Sequence, residues 1–380
     1  MKVRYSYLKD QFSKNEIYFD KINKVVRSSD YTLGKELEKF EQSFAKLIGC
    51  KFAVGVNSGT DAIKLGLKAL NIGLGDEVIT SANTFVATIG PIIDVGAKPV
   101  FVDAAADGNI DIDQVINRVT KNTKCIIPVH WGGEPADVQA IRNLIKDKSI
   151  KILEDCCQGI LAKKNGANCG TLGSIGAFSL HPLKNLNVWG DGGIVTTNSV
   201  RLYKKLRLLR NHGLSDRDTL EMFGVNSRLD TIQAAIGNVL IKHAKEITRK
   251  RHANGTKMDT VIQSIADLTN GIITPLKRNP ESFNVYHLFQ FFCSNSIRDN
   301  LLDHLHSSKI EAKIHYPLPL LKQKPIKALG FDYKKYPIAT KFSLQSISLP
   351  IDQHLSPQHL RHIERSLYSF FKLKNTSFIF

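Results

Sequence analysis

The sequence predicts an α/β protein: a large lobe built on a mainly parallel sheet sandwiched by helices, then a smaller α+β lobe. Three observations lead there. Short apolar runs alternate with helix-period segments from Phe52 to Asp155. The 380 residues exceed what one core organises, and they show no internal repeat and no low-complexity linker. Beyond a long helical stretch, about residues 230–265, the alternation gives way to a mixture of strands and helices. The lobes are expected over 1–245 and 246–380.

Residues 14–48 predict two helices parted at Ser28-Ser29-Asp30, the second carrying Leu37, Phe40, Phe44 and Leu47 at amphipathic spacing. Phe52–Val56 is a buried strand. Asn57-Ser58-Gly59-Thr60-Asp61 opens a helix to Leu70, since Asn, Ser, Thr and Asp are N-cap formers. Val78–Thr80 leads to Asn83-Thr84-Phe85 and a helix ending at Val95. Val100–Asp103 is the next strand, Ile112–Val119 a helix, and Cys125–Val129 a strand ending at His130-Trp131-Gly132-Gly133. A helix over 136–147 precedes the strand Lys151–Asp155. Phe178-Ser179 closes another strand, and Pro182, lacking an N–H, ends its pairing and puts Lys184 on a tight loop before Ile194–Thr197. In the second lobe we expect strands at 285–292 and 314–316 and helices at 298–307 and 360–371.

A net charge of +17 raises nucleic acid as a partner. The charge is dispersed, with a mild excess at 201–260, thirteen Lys/Arg against six Asp/Glu, and aromatics are not interleaved with it. It suits an anionic small substrate equally well, and no nucleic-acid partner is expected. Six cysteines form no C-x-x-C pair, which argues against a zinc site or a disulfide framework. No apolar run reaches the roughly 18 residues of a membrane span, and a cytoplasmic location without membrane partner or metal is expected.

In a parallel sheet, ligands bind beyond the carboxyl ends of the strands. Asn57–Thr60, Phe85, Asp155 and the Lys184 loop all fall there. Ser58, Gly59 and Thr60 open a helix whose free N–H groups and dipole suit an anion, or simply cap it. Asp155 either caps the next helix or partners a buried cation. Phe85 is either core or a platform for a flat ring, and His181 either a satisfied loop histidine or a polar wall. Together, a helix-start anion site, an aromatic, a carboxylate and a lysine match the needs of pyridoxal phosphate (PLP): Lys184 forms the Schiff base, and Asp155 keeps the ring nitrogen protonated.

The ordered set Tyr31-Thr32-Leu33-Gly34, Asn57–Ala62, Gly75–Ile79, Asn83–Thr88, Glu154-Asp155 with Gln158, Phe178–Lys184, Gly190–Gly193, Arg210–Gly213, Asn226–Asp230 and His315-Tyr316-Pro317 resembles the DegT/DnrJ/EryC1/StrS sugar aminotransferases. The resemblance implies fold type I and PLP, cycling through its pyridoxamine form (PMP). It places Gln158 at the ring's 3-hydroxyl and Phe85 stacked on the ring. Gly59, Thr60 and Ser179 would hold the phosphate, joined by Asn226 of a neighbouring subunit, which implies a homodimer with shared sites. It implies ping-pong transfer from L-glutamate, released as 2-oxoglutarate, to a keto sugar in amino-sugar biosynthesis, for lipopolysaccharide, another surface polysaccharide or a natural product. Family dehydratases carry histidine where this chain has Lys184, so the lysine favours transamination. The substrate expected is a nucleotide-linked keto-hexose. The alternatives are a free keto sugar acid such as 8-oxidised 3-deoxy-octulosonate (Kdo) and a non-catalytic regulator. His181, Trp189, His315 and Tyr316 are the expected substrate-side residues. Departures from the family pattern at Trp131, Ile160-Leu161, Trp189 and Leu321 are expected to line the substrate pocket.

Overall fold

The computed structural model describes residues 1–373; the last seven positions of the expected second lobe lie outside the described residues. Seven strands form the main sheet: β1 (Phe52–Val56), β2 (Glu77–Ser81), β3 (Lys98–Val102), β4 (Thr123–Ile127), β5 (Lys151–Asp155), β6 (Ile175–Ser179) and β7 (Gly193–Thr197). Their spatial order is β1-β7-β6-β5-β4-β2-β3. Pairings from β6 to β3 are parallel, whereas β7 runs antiparallel to both β6 and β1. The exception has a local cause. The segment between β6 and β7 contains no helix to carry the chain back across the sheet, so β7 returns antiparallel.

Helices cover the sheet. α1 (Glu16–Ser28) and α2 (Lys35–Ile48) precede β1, and α2 buries Leu37, Phe40 and Phe44 as its spacing requires. α3 (Gly59–Ala69) follows β1 and α4 (Val86–Asp94) follows β2. Glu41 on α2 is held by the Arg210 guanidinium and by the Gly55 N–H at 2.7 Å, an ionic tie between helix, sheet and the 210–213 turn.

The helical stretch expected at 230–265 is two helices, α5 (Thr231–Leu240) and α6 (Ala244–Leu268), joined by a 3₁₀ turn at Ile241–His243. The helix expected at 136–147 is shorter, Val138–Leu144. In the second lobe β8 (Ile273–Pro275), β9 (Phe289–Cys293) and β10 (Ser346–Leu349) form an antiparallel sheet of order β8-β9-β10. α7 (Asn295–Ser307) and α8 (Pro357–Phe370) flank it.

Two strand expectations are corrected. Val285–Leu288 is not strand: the Asn185 side chain takes the Val285 carbonyl and Arg251 takes those of Tyr286 and His287. Residues 314–316 form no strand either; only Lys313 makes a bridge, to Ser348. The lobe cores are not contiguous in sequence. Val3 and Tyr7, from the first residues, are buried with Met258, Phe291, Leu301 and Leu367 of the second lobe. The N-terminal segment therefore crosses to the second lobe before α1 begins.

Candidate active site

Parallel strands end on one edge of the sheet, and a cavity of about 440 Å³ opens there. Ser58, Gly59, Thr60, Phe85, Ser179, His181, Lys184, His315 and Tyr316 line it.

Lys184 sits on the β6–β7 loop, whose first turn is closed by its own N–H donating to the His181 carbonyl at 2.8 Å. Burial pushes its amine below the usual lysine range, opposed by neighbouring Cys157 and Asp155. A lowered value raises the fraction of neutral amine near pH 7, the form that can attack or accept a proton. Cys157 also lines the cavity, but burial and Asp155 hold its thiol well above the usual range, so it stays protonated.

Asp155 ends β5, buried and close enough to Lys184 to act on its amine. Its Oδ2 accepts from the Thr88 hydroxyl at 2.8 Å and its Oδ1 from the Cys157 N–H at 3.1 Å. Thr88 in the first turn of α4 and Cys157, two residues past β5, thus fix the carboxylate's rotation. Strand alternation sends Glu154 to the other face, where it accepts the Gly170 and Leu172 N–H groups and meets His130 Nε2 at 3.2 Å. Of the pair, Asp155 is the one that acts on the Lys184 amine.

At the start of α3, Ser58 Oγ accepts the Asp61 N–H at 3.1 Å and so acts as N-cap. The Gly59 and Thr60 N–H groups, which no intrahelical carbonyl can reach, are left beside the cavity. A Cβ at Gly59 would lie 2.7 Å from Ser179 Cβ and 2.8 Å from Cys157 Sγ, and one at Gly193 2.1 Å from the Ser58 carbonyl. Two glycines thus let the helix start press against the strand ends.

Phe85 is not core: 47% of it is exposed, and its ring centroid stands 5.3 Å from that of Tyr316. His181 is exposed, with Nδ1 accepting the Leu183 N–H at 3.2 Å. His315 Nδ1 meets Ser348 Oγ at 2.9 Å and its ring stacks on Tyr5. Burial, with Lys313 and Lys184, lowers its pKa to about 4, and burial with Asp155 lifts Tyr316 to about 12. Native His315 therefore resists a proton that the unfolded chain accepts below about 6.5. Between those values the unfolded state binds more protons, so stability falls as pH drops from about 6.5 to about 4. His315→Asn is expected to flatten that part of the melting-temperature profile; an unchanged slope would assign it to other groups.

Four expectations are corrected or bounded. Trp189 does not line the cavity: its ring packs 5.6 Å from Phe12, 5.4 Å from Tyr18 and 5.5 Å from Phe19, where α1 folds over it. Trp131 and Leu321 share one buried core, and Ile160 with Leu161 belongs to another. The family departures therefore repack cores instead of lining the pocket. Gln158 is buried behind the wall, its Oε1 accepting the Gly132 N–H at 2.7 Å. Asn226 is exposed and bridges Asn211 through the backbone, away from this chain's own cavity.

The sequence reading missed a whole wall. Tyr5, Ser6, Leu8 and Gln11 come from the N-terminal segment, and Arg251, His287, Asp352 and Gln353 from the second lobe. Arg251 falls in the expected helical stretch and His287 in the expected strand, but neither was singled out for the site, and the others carry no motif. Arg251 could have been singled out only as a charge on an otherwise buried helix face.

The sequence matches the model of the DegT/DnrJ/EryC1/StrS aminotransferase family over residues 13–368. It is 37% identical to the pleiotropic regulatory protein of Geobacillus stearothermophilus over 92% of this chain and 93% of that one. It is 38% identical to the dTDP-3-amino-3,4,6-trideoxy-alpha-D-glucose transaminase of Streptomyces venezuelae, over 90% and 89%. Among solved structures, S. venezuelae DesV in complex with a ketimine intermediate superposes with a TM-score of 0.92, 34% identity and coverage of 98% and 100%. NtdA of Bacillus subtilis with bound cofactor PMP gives 0.89, 28% identity and coverage of 98% and 85%.

Proposed function

The chain belongs to the DegT/DnrJ/EryC1/StrS aminotransferase family, and on that premise we propose that it transfers the amino group of L-glutamate to a nucleotide-linked keto sugar with PLP. The observation that carries the reading is the convergence of Lys184 and the α3 start on one cavity, with the buried Asp155 carboxylate close enough to Lys184 to act on its amine. The donor set fits the cofactor. Gly59 and Thr60 offer unpaired N–H groups for a phosphate, with the Ser179 and Thr60 hydroxyls beside them. Asp155 offers a buried carboxylate with fixed rotation, and Phe85 an aromatic face open to the cavity.

When bound, PLP supplies the electron sink that lets an amino group leave one carbon and join another. Everything else falls to the chain. Lys184 would be the residue that holds the cofactor, and its amine, lowered by burial, is suited to accept and return a proton. The Asp155 carboxylate would keep the ring nitrogen protonated. His181, His315 and Tyr316 border the space left for substrate, and neutral His315 donates or accepts without adding charge. Gln158 keeps its amide N–H₂ free to donate, since only its oxygen is taken by Gly132.

Asn226 lies away from its own chain's cavity, which supports the reading that it serves a neighbouring subunit in a homodimer. The free thiols suit a reducing compartment, and among the described residues no helix is long and apolar enough to cross a membrane. A non-catalytic regulatory role is the second reading, favoured by the name of the Geobacillus relative.

One experiment separates them. The purified protein loaded with PLP should show a visible-edge absorption band that shifts on adding glutamate, with release of 2-oxoglutarate. A panel of nucleotide-linked keto-hexoses and 8-oxidised Kdo then identifies the acceptor. No cofactor uptake, or uptake without a response to glutamate, would overturn the enzymatic reading.

A further inference from the structure

The loop that carries Lys184 is held by side chains from three separate parts of the chain. Asn187, only 2% exposed, donates from Nδ2 to the carbonyls of Pro182 (2.7 Å) and Lys184 (3.0 Å). Its Oδ1 accepts from Gln11 Nε2 at 2.9 Å. Gln11 Oε1 accepts from Gln353 Nε2 at 3.1 Å, and Gln353 Oε1 from Arg251 Nη1 at 3.4 Å. The same Arg251 also donates to the Tyr286 and His287 carbonyls and faces Asp352 at 3.4 Å. Asn185 returns to that segment, donating to the Val285 carbonyl at 3.1 Å. The result is a closed ring from the lysine loop through the N-terminal segment and second lobe and back.

Its direction is not free. A guanidinium only donates and a backbone carbonyl only accepts, so the three amides between Arg251 and the loop carbonyls each have a single allowed orientation. A one-way chain of this kind polarises cooperatively, and losing one member leaves its buried neighbours unsatisfied. Amides are also neutral: they fix the loop without placing a new charge beside an amine whose value is already lowered by burial.

We propose that Gln11, Asn187 and Gln353 are positioning residues: their one-way amide relay from Arg251 holds the Lys184 loop in register with the cavity. The functional part of this inference rests on Lys184 carrying the cofactor; the structural part does not. It also gives the N-terminal segment a role in the reaction, because Gln11 is the only link in the relay that the second lobe and the loop share.

Two readouts test it on the full chain, using Gln11→Leu, Gln353→Leu and the double variant. Without cofactor, amide exchange at Lys184 should rise about 10-fold in each single variant while strand Phe52–Val56 is unchanged. With PLP bound, kcat should fall about 10-fold with KM for glutamate within twofold, and the double variant should be no worse than the worse single one. Unchanged loop exchange would overturn the relay, as would additive losses in the double variant. If the wild-type chain took up no PLP, the cofactor assignment would fall, and the exchange data would still judge the relay. Gln11 is only half-buried and Gln353 lies in a loop, so both variants are expected to fold.

Discussion

Lys184→Ala is expected to abolish turnover while leaving the fold intact. The side chain lies along the cavity wall, and the loop is held by its backbone and by Asn187, so truncation removes an amine and no structural tie. The loss should reach or exceed the upper end of the about 10²–10⁴-fold that a positioned acid–base group contributes, because attachment of the cofactor goes with it. Lys184→Arg keeps a cation but cannot shed its proton, and should be equally inactive. Borohydride treatment of the PLP-loaded wild type should fix the cofactor to the peptide containing Lys184, and the alanine variant should release it on denaturation. Substantial turnover in Lys184→Arg would show that the group acts only through its charge.

Asp155→Asn should cost about 10²–10³-fold in kcat, the scale seen when one preorganised electrostatic group is removed from a buried site. The replacement is nearly isosteric. Its oxygen can keep the Cys157 N–H, and its N–H₂ can donate to the Thr88 hydroxyl, which reverses its role. What disappears is the negative charge that, on the proposed reading, would keep the ring nitrogen protonated. Thr88→Val provides the contrast: it leaves the charge but frees its rotation, so a smaller loss is expected. Equal kcat for Asp155→Asn and wild type, at matched PLP occupancy, would remove Asp155 from the reaction.

Much of the cavity was legible because its parts sit at strand ends, and strand ends show in sequence as an apolar run meeting a cap former, a carboxylate or a proline. Gly59-Thr60 and Lys184, which line the cavity, and the buried Asp155 each carry such a signal. The antiparallel return of β7 was not, although the absence of any helix between Ser179 and Gly193 was visible. Substrate-side residues fared unevenly. His181, His315 and Tyr316 line the cavity, whereas the half-buried Trp189 packs among the rings of Phe12, Tyr18 and Phe19. Size and aromaticity suit core and pocket equally, and only the helix that folds over the ring distinguishes them.

By itself the sequence determined the alternation that builds the sheet, the turn chemistry at its carboxyl edge, and the lysine, carboxylate and helix start placed there. These are local properties, set by period and by backbone donors and acceptors within a few residues. Tertiary structure decided which distant segments close the site. Gln11 reaches Asn187 across 176 positions, and Gln353 reaches Gln11 across 342. No local pattern encodes such contacts, because they depend on where two lobes and an N-terminal segment come to rest against one another.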